Sequence, residues 1–448
     1  MPNLFTRAAS LLLGDHPEDA DARLLLEALG YADPAGVGKS GPENGSETRH
    51  RARLLMTASR FVRVFELAAP EAPGLVCLGA EIDPAMADPM HAGSPAVSVS
   101  GVGLSPQQAF QGCIGEGIEY LSQLQTGTDV LELRGPSGPA AAQGPATREF
   151  LTAFEACRLR PDAELSWHPV TRVTDRCEVL LPADLCLRRP PDQREIRPPF
   201  PLSTGSAAAT SWDAAALHGL MEVIERDAAS LWWWGGNRGR SIPPQAEAHI
   251  MAQALLARLR QNASARRSWL LDITTDIGVP SVAAVSCATD GFGFAFGLAA
   301  RPTLAAAACG AVLEMCQGEL AYAVVEAKCR ERGEAALNER DRVHRRRATT
   351  INADRCLLLQ PVAEPSEHLA IDTTDANSVL QLIAKHLERF GIETFTLDLT
   401  RAHLAIPAAR VITPGLQLEP SEMVMPRLAD MMARTGGGAI YTGGVALI

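Results

Sequence analysis

The sequence has no C-x-x-C pair, although 10 cysteines are scattered among its 448 residues. Cysteine pairs at that spacing are typical of structural zinc sites, and the scattered positions support no disulfide framework either. Lysine is scarce, since only Lys39, Lys328 and Lys385 occur among the 41 basic residues. The net charge is −11 and no basic stripe is visible, which argues against a nucleic-acid partner.

The N-terminal region lacks a long hydrophobic run. Acidic residues interrupt its apolar patch too soon for a membrane span, and no clear signal-peptide cleavage pattern is present. We therefore expect a cytoplasmic protein without a membrane segment. Residues 1–30 are expected to form one or two short amphipathic helices with Leu24, Leu25, Leu26 and Leu29 on one face, followed by a polar loop over about 32–52.

A glycine-rich stretch, Gly36-Val37-Gly38-Lys39-Ser40, resembles the end of a phosphate-binding P-loop. A P-loop also needs a glycine five positions before its second glycine, and this chain has Asp33 there. The residues before Gly36 do not resemble a buried strand, and Pro34 favours a surface loop. We expect no nucleotide at this stretch.

The overall pattern is one of helices and strands bounded by glycine turns. Hydrophobic residues make up 46% of the sequence, which is enough for a large core. Strand-like alternation at 96–105 and 268–288 is interspersed with helical patterns at 105–124, 211–234 and 302–327, which predicts an α/β or mixed α+β class. The expected parts are a helical segment with a flexible loop, one large domain and a C-terminal tail, at residues 1–65, 66–420 and 421–448.

Two predicted helices carry the same pair of glutamates. Glu116 and Glu119 lie on the first, and Glu222 and Glu225 lie on the second. Residues three apart share one face of a helix, so each pair directs two carboxylates the same way. Four carboxylates at close range raise one another's pKa unless a cation joins them, and Mg²⁺ carrying a nucleotide is the usual oxygen-binding one. The alternative is two solvated helix faces.

The second helix is apolar nearly all round, so its acids are expected to be buried and to need partners. His218, one turn before Glu222, is either a contact to phosphate or metal-bound water, or a packing residue. The three tryptophans at 232–234 are expected to end the helix at a core boundary. The small-residue loop at 203–209 either brings backbone N–H groups to phosphate or forms a close-packed turn.

These stretches resemble the YcaO family. The strongest match is STGSAAATSWDAAALHGLMEVIERDA, at 203–228, which is similar to that family's Ser-Asn-Gly loop and H-x-x-x-E-x-x-E-R helix. GVGLSPQQAFQGCIGEGIEY, at 101–120, is similar to its earlier Glu-x-x-Glu helix, and shorter motifs follow in family order up to VITPGL at 411–416. The resemblance covers about residue 70 to residue 417 and implies a YcaO-like fold, with helices packed on mixed β-sheets around a site for ATP and Mg²⁺.

The resemblance also implies roles for single residues, carried over motif by motif. The metal ions would be held by Glu116, Glu119, Glu222 and Glu225. The nucleotide would be bound by Ser105, Ser203, His218, Arg226, Glu314 and Gln317. The catalytic residues would be Glu222, Glu225 and Arg226.

The implied activity is ATP-dependent activation of a peptide-backbone amide in a ribosomally made peptide. A Cys, Ser or Thr side chain adds to the carbonyl, and the oxyanion takes the γ-phosphoryl group of ATP and leaves as phosphate. Catalysis of this kind depends mainly on positioning and charge neutralisation. We expect cyclodehydration to a thiazoline or oxazoline. The close alternative is backbone thioamidation, in which external sulfide is the nucleophile.

The expected partners differ between these two reactions. Cyclodehydration implies a precursor peptide presented by a separate leader-binding, ubiquitin-activating-like protein, with a flavin dehydrogenase as a further partner. Thioamidation implies a TfuA-like partner, and a homodimer is expected in either case. A third alternative is a weakened peptide-docking scaffold, because Tyr120 and Gly310 stand where the family has arginines and the C-terminus lacks its proline-rich ending. Loss of those cations weakens a triphosphate site unless Arg301, Arg226 or Arg240 substitutes.

Overall fold

The computed structural model describes residues 3–15, 19–31, 42–134, 143–364 and 366–448. The P-loop-like stretch and the first part of the loop predicted over 32–52 lie outside these residues. The prediction of a loop from residue 42 onward is wrong, because the chain there is helical. Ala52, Leu55 and Ala58 are buried at a spacing of three, so this helix gains its stability from packing one face on the core.

Within the described residues the helices, in chain order, are α1 (Leu4–Leu13), α2 (Ala20–Ala28), α3 (Pro42–Ala58), α4 (Pro106–Gln123), α5 (Pro145–Glu155), α6 (Ala183–Cys186), α7 (Trp212–Trp233), α8 (Glu247–Arg260), α9 (Leu304–Arg332), α10 (Glu339–Thr350), α11 (Ala376–Glu388), α12 (Pro426–Thr435) and α13 (Ala439–Thr442). The two predicted N-terminal helices are therefore confirmed. Their predicted apolar face is wrong in part, because Leu26 and Leu29 are buried whereas Leu24 is 62% exposed.

The strands are β1 (Arg63–Leu67), β2 (Val76–Ile82), β3 (Val97–Gly103), β4 (Glu132–Arg134), β5 (Leu165–Arg172), β6 (Glu178–Pro182), β7 (Ser206–Ala208), β8 (Arg267–Asp272), β9 (Ser281–Cys287), β10 (Ala295–Ala300), β11 (Phe395–Asp398) and β12 (Ala408–Ile412). They form three sheets in the orders β1-β2-β3, β10-β9-β8 and β4-β5-β11-β12-β7, with β6 paired to β5. The named strand pairs are antiparallel. The predicted mixture of helices and sheets is confirmed, and the antiparallel pairing places the fold on the α+β side.

One supersecondary arrangement occurs twice. The meander β1-β2-β3 leads into α4, and the meander β8-β9-β10 leads into α9. Each helix packs on the last strand of the meander that precedes it, and the contact is made at a glycine of that strand. A Cβ atom on Gly101 of β3 would lie 2.0 Å from the backbone nitrogen of Cys113, and one on Gly297 of β10 would lie 2.1 Å from that of Met315. Only glycine permits such close approach, which fixes each helix against its sheet.

The helix α7 lies between these two units. The helix begins after Ser211, close to the predicted start, with Ser211 as its N-cap, and it contacts β7, β10 and β12. At its other end Trp232 and Trp233 are fully buried, and their indole N–H groups donate to the carbonyls of Leu358 (2.9 Å) and Val445 (2.7 Å). The predicted core boundary is thus confirmed.

The helix α9 has 29 residues and is long and apolar enough, by length and composition alone, to cross a membrane. It packs on β9, β10, α8 and α10. Those contacts bury Ala307, Ala311, Met315 and Cys316, and they account for the apolar composition. A core helix is therefore the better explanation of this segment.

Candidate active site

Five glutamates from three helices converge on one cleft. Glu119 of α4 lies close enough to Glu116 and to Glu222 of α7 for both carboxylates to raise its pKa. The pKa of Glu314 of α9 is raised by burial and, in the same way, by the carboxylate of Glu225 of α7. The two glutamate pairs singled out from the sequence are therefore brought together, and Glu314, expected at the nucleotide, lies beside them.

Four of these carboxylates are anchored by backbone N–H groups from outside their own helices. Glu119 Oε1 accepts from Ala208 at 3.0 Å, and Glu222 Oε2 accepts from Gly205 at 3.0 Å. Across the cleft, Ala300 donates to Glu225 Oε2 at 3.3 Å and Leu298 donates to Glu314 Oε2 at 2.9 Å. The loop before α7 and the end of β10 thus hold the acids in place. One oxygen of each carboxylate is fixed by these bonds.

Arg226 supplies positive charge at the centre of this cluster. Its guanidinium lies 3.6 Å from Glu222 Oε1 and 3.7 Å from Glu225 Oε1, which is an ion-pair distance but a long one. Burial disfavours its charge, but Glu225, Glu222, Glu314 and Glu419 together raise its pKa. One arginine faces at least four carboxylates, so the cleft holds surplus negative charge.

That surplus appears in the pKa values of the acids. Burial, opposed by Arg226 but assisted by Glu225 and Glu116, raises the pKa of Glu222 to about 7. Burial and Glu225 raise the pKa of Glu314 to about 7, and burial also raises the pKa of Glu116. These acids would share protons at neutral pH unless a further cation neutralised them.

The cluster is accessible to solvent from one side. Glu116 is exposed, Glu119, Glu222 and Glu314 are half-buried, and Glu225 is buried. Protein surrounds the side chains closely enough to raise their pKa values, yet water reaches most of them. Both properties describe an open-mouthed cleft, as a ligand would need for entry.

The other predicted nucleotide residues have identifiable local roles. Ser105 caps α4, where its Oγ accepts from the N–H of Gln108 at 3.3 Å, as the sequence predicted. Gln317 of α9 donates to Ser100 Oγ of β3 at 3.0 Å and so links the two meander units. Ser203 is exposed, and its carbonyl accepts from Ser206. His218 is also exposed, and partial burial together with Arg301 lowers its pKa.

The loop at 203–209 is a close-packed turn in this structure. Gly205 has φ +85°, and a Cβ atom there would lie 2.3 Å from the carbonyl oxygen of Val411. Two N–H groups of this stretch, those of Gly205 and Ala208, donate to carboxylates of the cleft. The structure favours the turn over the phosphate-cradling alternative, although the loop does organise the site.

Two further charged residues near the cleft were missed by the sequence analysis. Glu419 is 3% exposed and its Oε1 has no hydrogen-bond partner, and burial raises its pKa to about 7 against a side-chain hydrogen bond with Trp234 and the charge of Arg226. Arg340 of α10 acts on Glu116 and lowers its pKa against the effect of burial. Neither residue belongs to a periodic pattern, so no local signal in the sequence marks it.

The arginines expected to compensate for Tyr120 and Gly310 lie in different places. Arg226 and Arg301 are at the cleft, whereas Arg240 lines a separate cavity of ≈ 760 Å³ at the C-terminal end of α7. In that cavity Arg240 donates to the carbonyl of Thr274 at 3.1 Å. The ring of Tyr120 lies beneath the guanidinium of Arg188, with 5.3 Å from its centroid to Cζ.

The side chains of the cleft decide which metal could bind there. Across the ranges that the structure describes, no three His, Cys, Asp or Glu side chains stand in a ready-made coordination cage, and all ten cysteines are free. The carboxylates of the cleft instead use one oxygen each on backbone N–H groups. Their surplus charge, their oxygen donors and the unpartnered Oε1 of Glu419 fit a hard divalent cation that arrives with its ligand.

Fold and cleft together define an α+β protein whose acid-lined site suits a metal-carried ligand. A family model described as YcaO cyclodehydratase, ATP- and Mg²⁺-binding, matches residues 100–417. The chain belongs to the YcaO family. Its cofactors are ATP and Mg²⁺, as the sequence predicted.

Similar proteins were found by sequence and by structure. An uncharacterized protein of Methanothermobacter thermautotrophicus is 28% identical over 276 residues, which cover 57% of this chain and 66% of that protein. A heterocyclase in complex with substrate and cofactor has a TM-score of 0.65 at 22% identity, covering 84% of this chain and 52% of its own. YcaO from Methanopyrus kandleri, bound with AMPPCP and Mg²⁺, has a TM-score of 0.57 at 19% identity, with coverage of 84% and 91%. The chain thus spans about half the length of the heterocyclase. The likeness to these two solved structures concerns the fold.

Proposed function

We propose that the protein uses MgATP to activate a backbone amide of a ribosomally made peptide, and that it catalyses cyclodehydration of Cys, Ser or Thr to thiazoline or oxazoline. The observation that carries this proposal is the convergence of Glu116, Glu119, Glu222, Glu225 and Glu314 around Arg226 in a partly exposed cleft. The activity is assigned to residues 66–420, with 1–65 and 421–448 as flanking segments.

In this proposal the metal ions are held by the two glutamate pairs, Glu116 with Glu119 and Glu222 with Glu225. Oxygen donors are what Mg²⁺ prefers, and it binds few carboxylates while sharing the rest of its shell with phosphate and water. Metal coordination would also remove the reason for the raised pKa of Glu222, because the ionised form would then be neutralised locally. Ser105, Ser203, His218, Glu314 and Gln317 complete the proposed nucleotide site.

When bound, MgATP supplies a phosphoryl group that turns an amide oxygen into a leaving group. The chain's own part is to hold that group and to neutralise the charge that develops on it. Arg226 is proposed for this second task, and the support is its guanidinium at 3.6 Å from Glu222 and 3.7 Å from Glu225, two proposed metal ligands. Glu222, Glu225 and Arg226 are therefore the proposed catalytic residues.

The proposed setting is a cytoplasmic complex that matures a microcin- or bacteriocin-type peptide. A separate leader-binding, ubiquitin-activating-like protein presents the precursor, a flavin dehydrogenase oxidises the azoline, and the enzyme is a homodimer. Backbone thioamidation with a TfuA-like partner is the second candidate, because the same cleft would activate the amide for either nucleophile. A weakened docking scaffold is the third, favoured by Tyr120 and Gly310.

Mass spectrometry distinguishes the three candidates. The protein is incubated with MgATP, the precursor peptide and the products of its neighbouring genes, and the peptide is then weighed. Loss of one water per residue supports cyclodehydration, whereas a gain equal to sulfur minus oxygen supports thioamidation. An unchanged peptide with no ADP formed would support the third candidate, the docking scaffold.

A further inference from the structure

Arg301 leaves the end of β10 and folds back over the first turns of α9. Its backbone N–H donates to the carbonyl of Pro280 at 3.0 Å, and its side-chain Nη1 donates to the carbonyl of Ala300 at 2.7 Å. Ala300 is itself held by Glu225, a proposed metal ligand. The base of the Arg301 side chain is therefore fixed directly beside the acid cluster.

Gly310 provides the space into which this side chain folds. A Cβ atom at Gly310 would lie 3.7 Å from Nη2 and 3.9 Å from Cζ of Arg301. The same Cβ atom would lie only 3.0 Å from Cβ of Ala299, so a side chain at position 310 would be crowded. Glycine is a poor choice inside a helix. Here its missing side chain leaves room for the guanidinium on the helix face that also carries Glu314 and Gln317, four and seven residues on.

The guanidinium of Arg301 acts on residues of the cleft without forming an ion pair with any of its described carboxylates. It acts electrostatically on Glu314 of α9 and on His218 of α7, two residues on different helices. Among the described residues it forms no ion pair within 4 Å, and its side chain donates a hydrogen bond to the carbonyl of Ala300. Arg301 is also exposed, whereas Arg226 is flanked by two carboxylates.

We propose that Arg301 binds the polyphosphate of the nucleotide and does the work of an arginine that position 310 cannot carry. A guanidinium offers several N–H donors in a planar fork that matches phosphate oxygens, and one without a carboxylate partner keeps those donors free. This inference rests on the proposed function, since it concerns the same cleft. It adds the residue that recognises the anionic end of the ligand. It also explains how the chain binds the polyphosphate without an arginine at position 310 of α9.

The test is calorimetric titration of the full chain with Mg-AMPPCP and, separately, with AMP. Arg301→Ala is expected to bind Mg-AMPPCP at least tenfold more weakly than the wild type. AMP affinity should change less than twofold, because AMP lacks the phosphates that Arg301 contacts. Arg330→Ala on α9 is the matched control, since it removes one exposed arginine about 24 Å along the helix from Glu314 and should bind both ligands like the wild type.

Two further variants separate phosphate binding from a structural role. Arg301→Lys keeps the charge but loses the fork, so it should regain part of the lost affinity. Arg301→Gln keeps most of the size but loses the charge, so it should bind Mg-AMPPCP as weakly as Arg301→Ala. The melting temperature of Arg301→Ala without nucleotide should match that of the wild type, because the side chain is exposed.

Two results would overturn the assignment. One is Mg-AMPPCP binding by Arg301→Ala within twofold of the wild type. The other is an equal loss of affinity for Mg-AMPPCP and AMP together with a lower melting temperature, which would mark a structural role. A wild-type chain that binds no Mg-AMPPCP would instead refute the proposed function itself, and the role of Arg301 with it.

Discussion

Glu222 of α7 accepts a hydrogen bond from the backbone N–H of Gly205, with 3.0 Å between Oε2 and the nitrogen. Three residues further on, Ala208 donates in the same way to Glu119 of α4. One short backbone stretch therefore fixes a carboxylate from each of two helices. These backbone donors hold the carboxylates in position before any ligand binds. A cation that arrives with a nucleotide therefore has few side chains to reposition.

The Glu222→Gln variant tests this arrangement. It keeps an oxygen for the Gly205 N–H but removes one charge from a crowded cluster. We expect the melting temperature without ligand to stay the same or rise, because a desolvated carboxylate with raised pKa is replaced by a neutral group. Affinity for Mg-AMPPCP should fall at least tenfold, or about 1.4 kcal/mol, since a metal ligand is lost.

Thermal melting with and without Mg-AMPPCP is the measurement for Glu222→Gln. Glu331→Gln, an exposed glutamate on α9, removes the same charge away from the cleft and should behave like the wild type. Equal stabilisation of Glu222→Gln and the wild type by Mg-AMPPCP would show that this carboxylate takes no part in holding the metal.

The raised pKa values predict a pH dependence without divalent metal. Glu222 and Glu314 have pKa values of about 7, above the 4.5 of a free glutamate, so the folded state holds protons that the unfolded state releases. Their contribution to stability is complete below about pH 4.5 and is lost as the pH rises through 7. The slope is at most about 1.4 kcal/mol per pH unit for each group.

Urea denaturation in EDTA across pH 5 to 8 would measure this loss, with the pH range set by the two pKa values. The double variant Glu222→Gln/Glu314→Gln should lose less stability over that range than the wild type. Mg²⁺ binding needs the ionised carboxylates, so affinity for Mg-AMPPCP should rise with pH up to about 7 and then level off. A flat affinity profile in the wild type would contradict the assignment of these acids.

The parts of the site that the sequence could predict are those with local signals. Ser105 caps α4 because a serine before a helix satisfies free backbone donors, and the apolar pattern of α7 marks its start near Ser211. The i, i+3 spacing of Glu116 with Glu119 and of Glu222 with Glu225 fixes a shared helix face. These features depend on a few neighbouring residues, and a single sequence contains them in full.

The parts that it could not predict depend on tertiary contacts. The bond from Ala208 to Glu119 joins residues 89 apart, and Glu419 reaches Arg226 from a stretch with no periodic pattern. The repeated meander-and-helix unit is invisible as a sequence repeat, because only single positions such as Gly101 and Gly297 are constrained by the close approach of helix and strand. The roles of the site residues in holding metal and nucleotide stay predictions.

Replacing Arg226 should have the opposite effect to replacing Glu222. Arg226→Gln leaves Glu222, Glu225, Glu314 and Glu419 without their shared cation. Because the ion pairs are long, at 3.6 and 3.7 Å, and Arg226 retains 19% of its side-chain exposure, we expect a loss of about 1–3 kcal/mol at pH 8. Urea denaturation measures it.

A double-mutant cycle provides the control for Arg226→Gln. In Glu222→Gln/Arg226→Gln one surplus charge is gone, so Glu222→Gln should stabilise the Arg226→Gln variant by more than it stabilises the wild type. Added Mg²⁺ should also restore part of the loss by taking over the role of cation. Additive effects of the two substitutions would mean that Arg226 and Glu222 are not coupled.

The C-terminal residues are part of the core, and their contribution can be measured. Leu447 is 0% exposed and lies in the same cluster as Trp233, whose indole donates to the carbonyl of Val445. Leu447→Ala should therefore cost about 2–5 kcal/mol of the free energy of unfolding, because it leaves a cavity beside the end of α7. Ile440→Ala, at a side chain 65% exposed, should change that free energy by no more than about 0.5 kcal/mol. Urea denaturation of both variants decides the point, and a Leu447→Ala protein as stable as Ile440→Ala would mean that residues 421–448 are a detached tail, as the sequence first indicated.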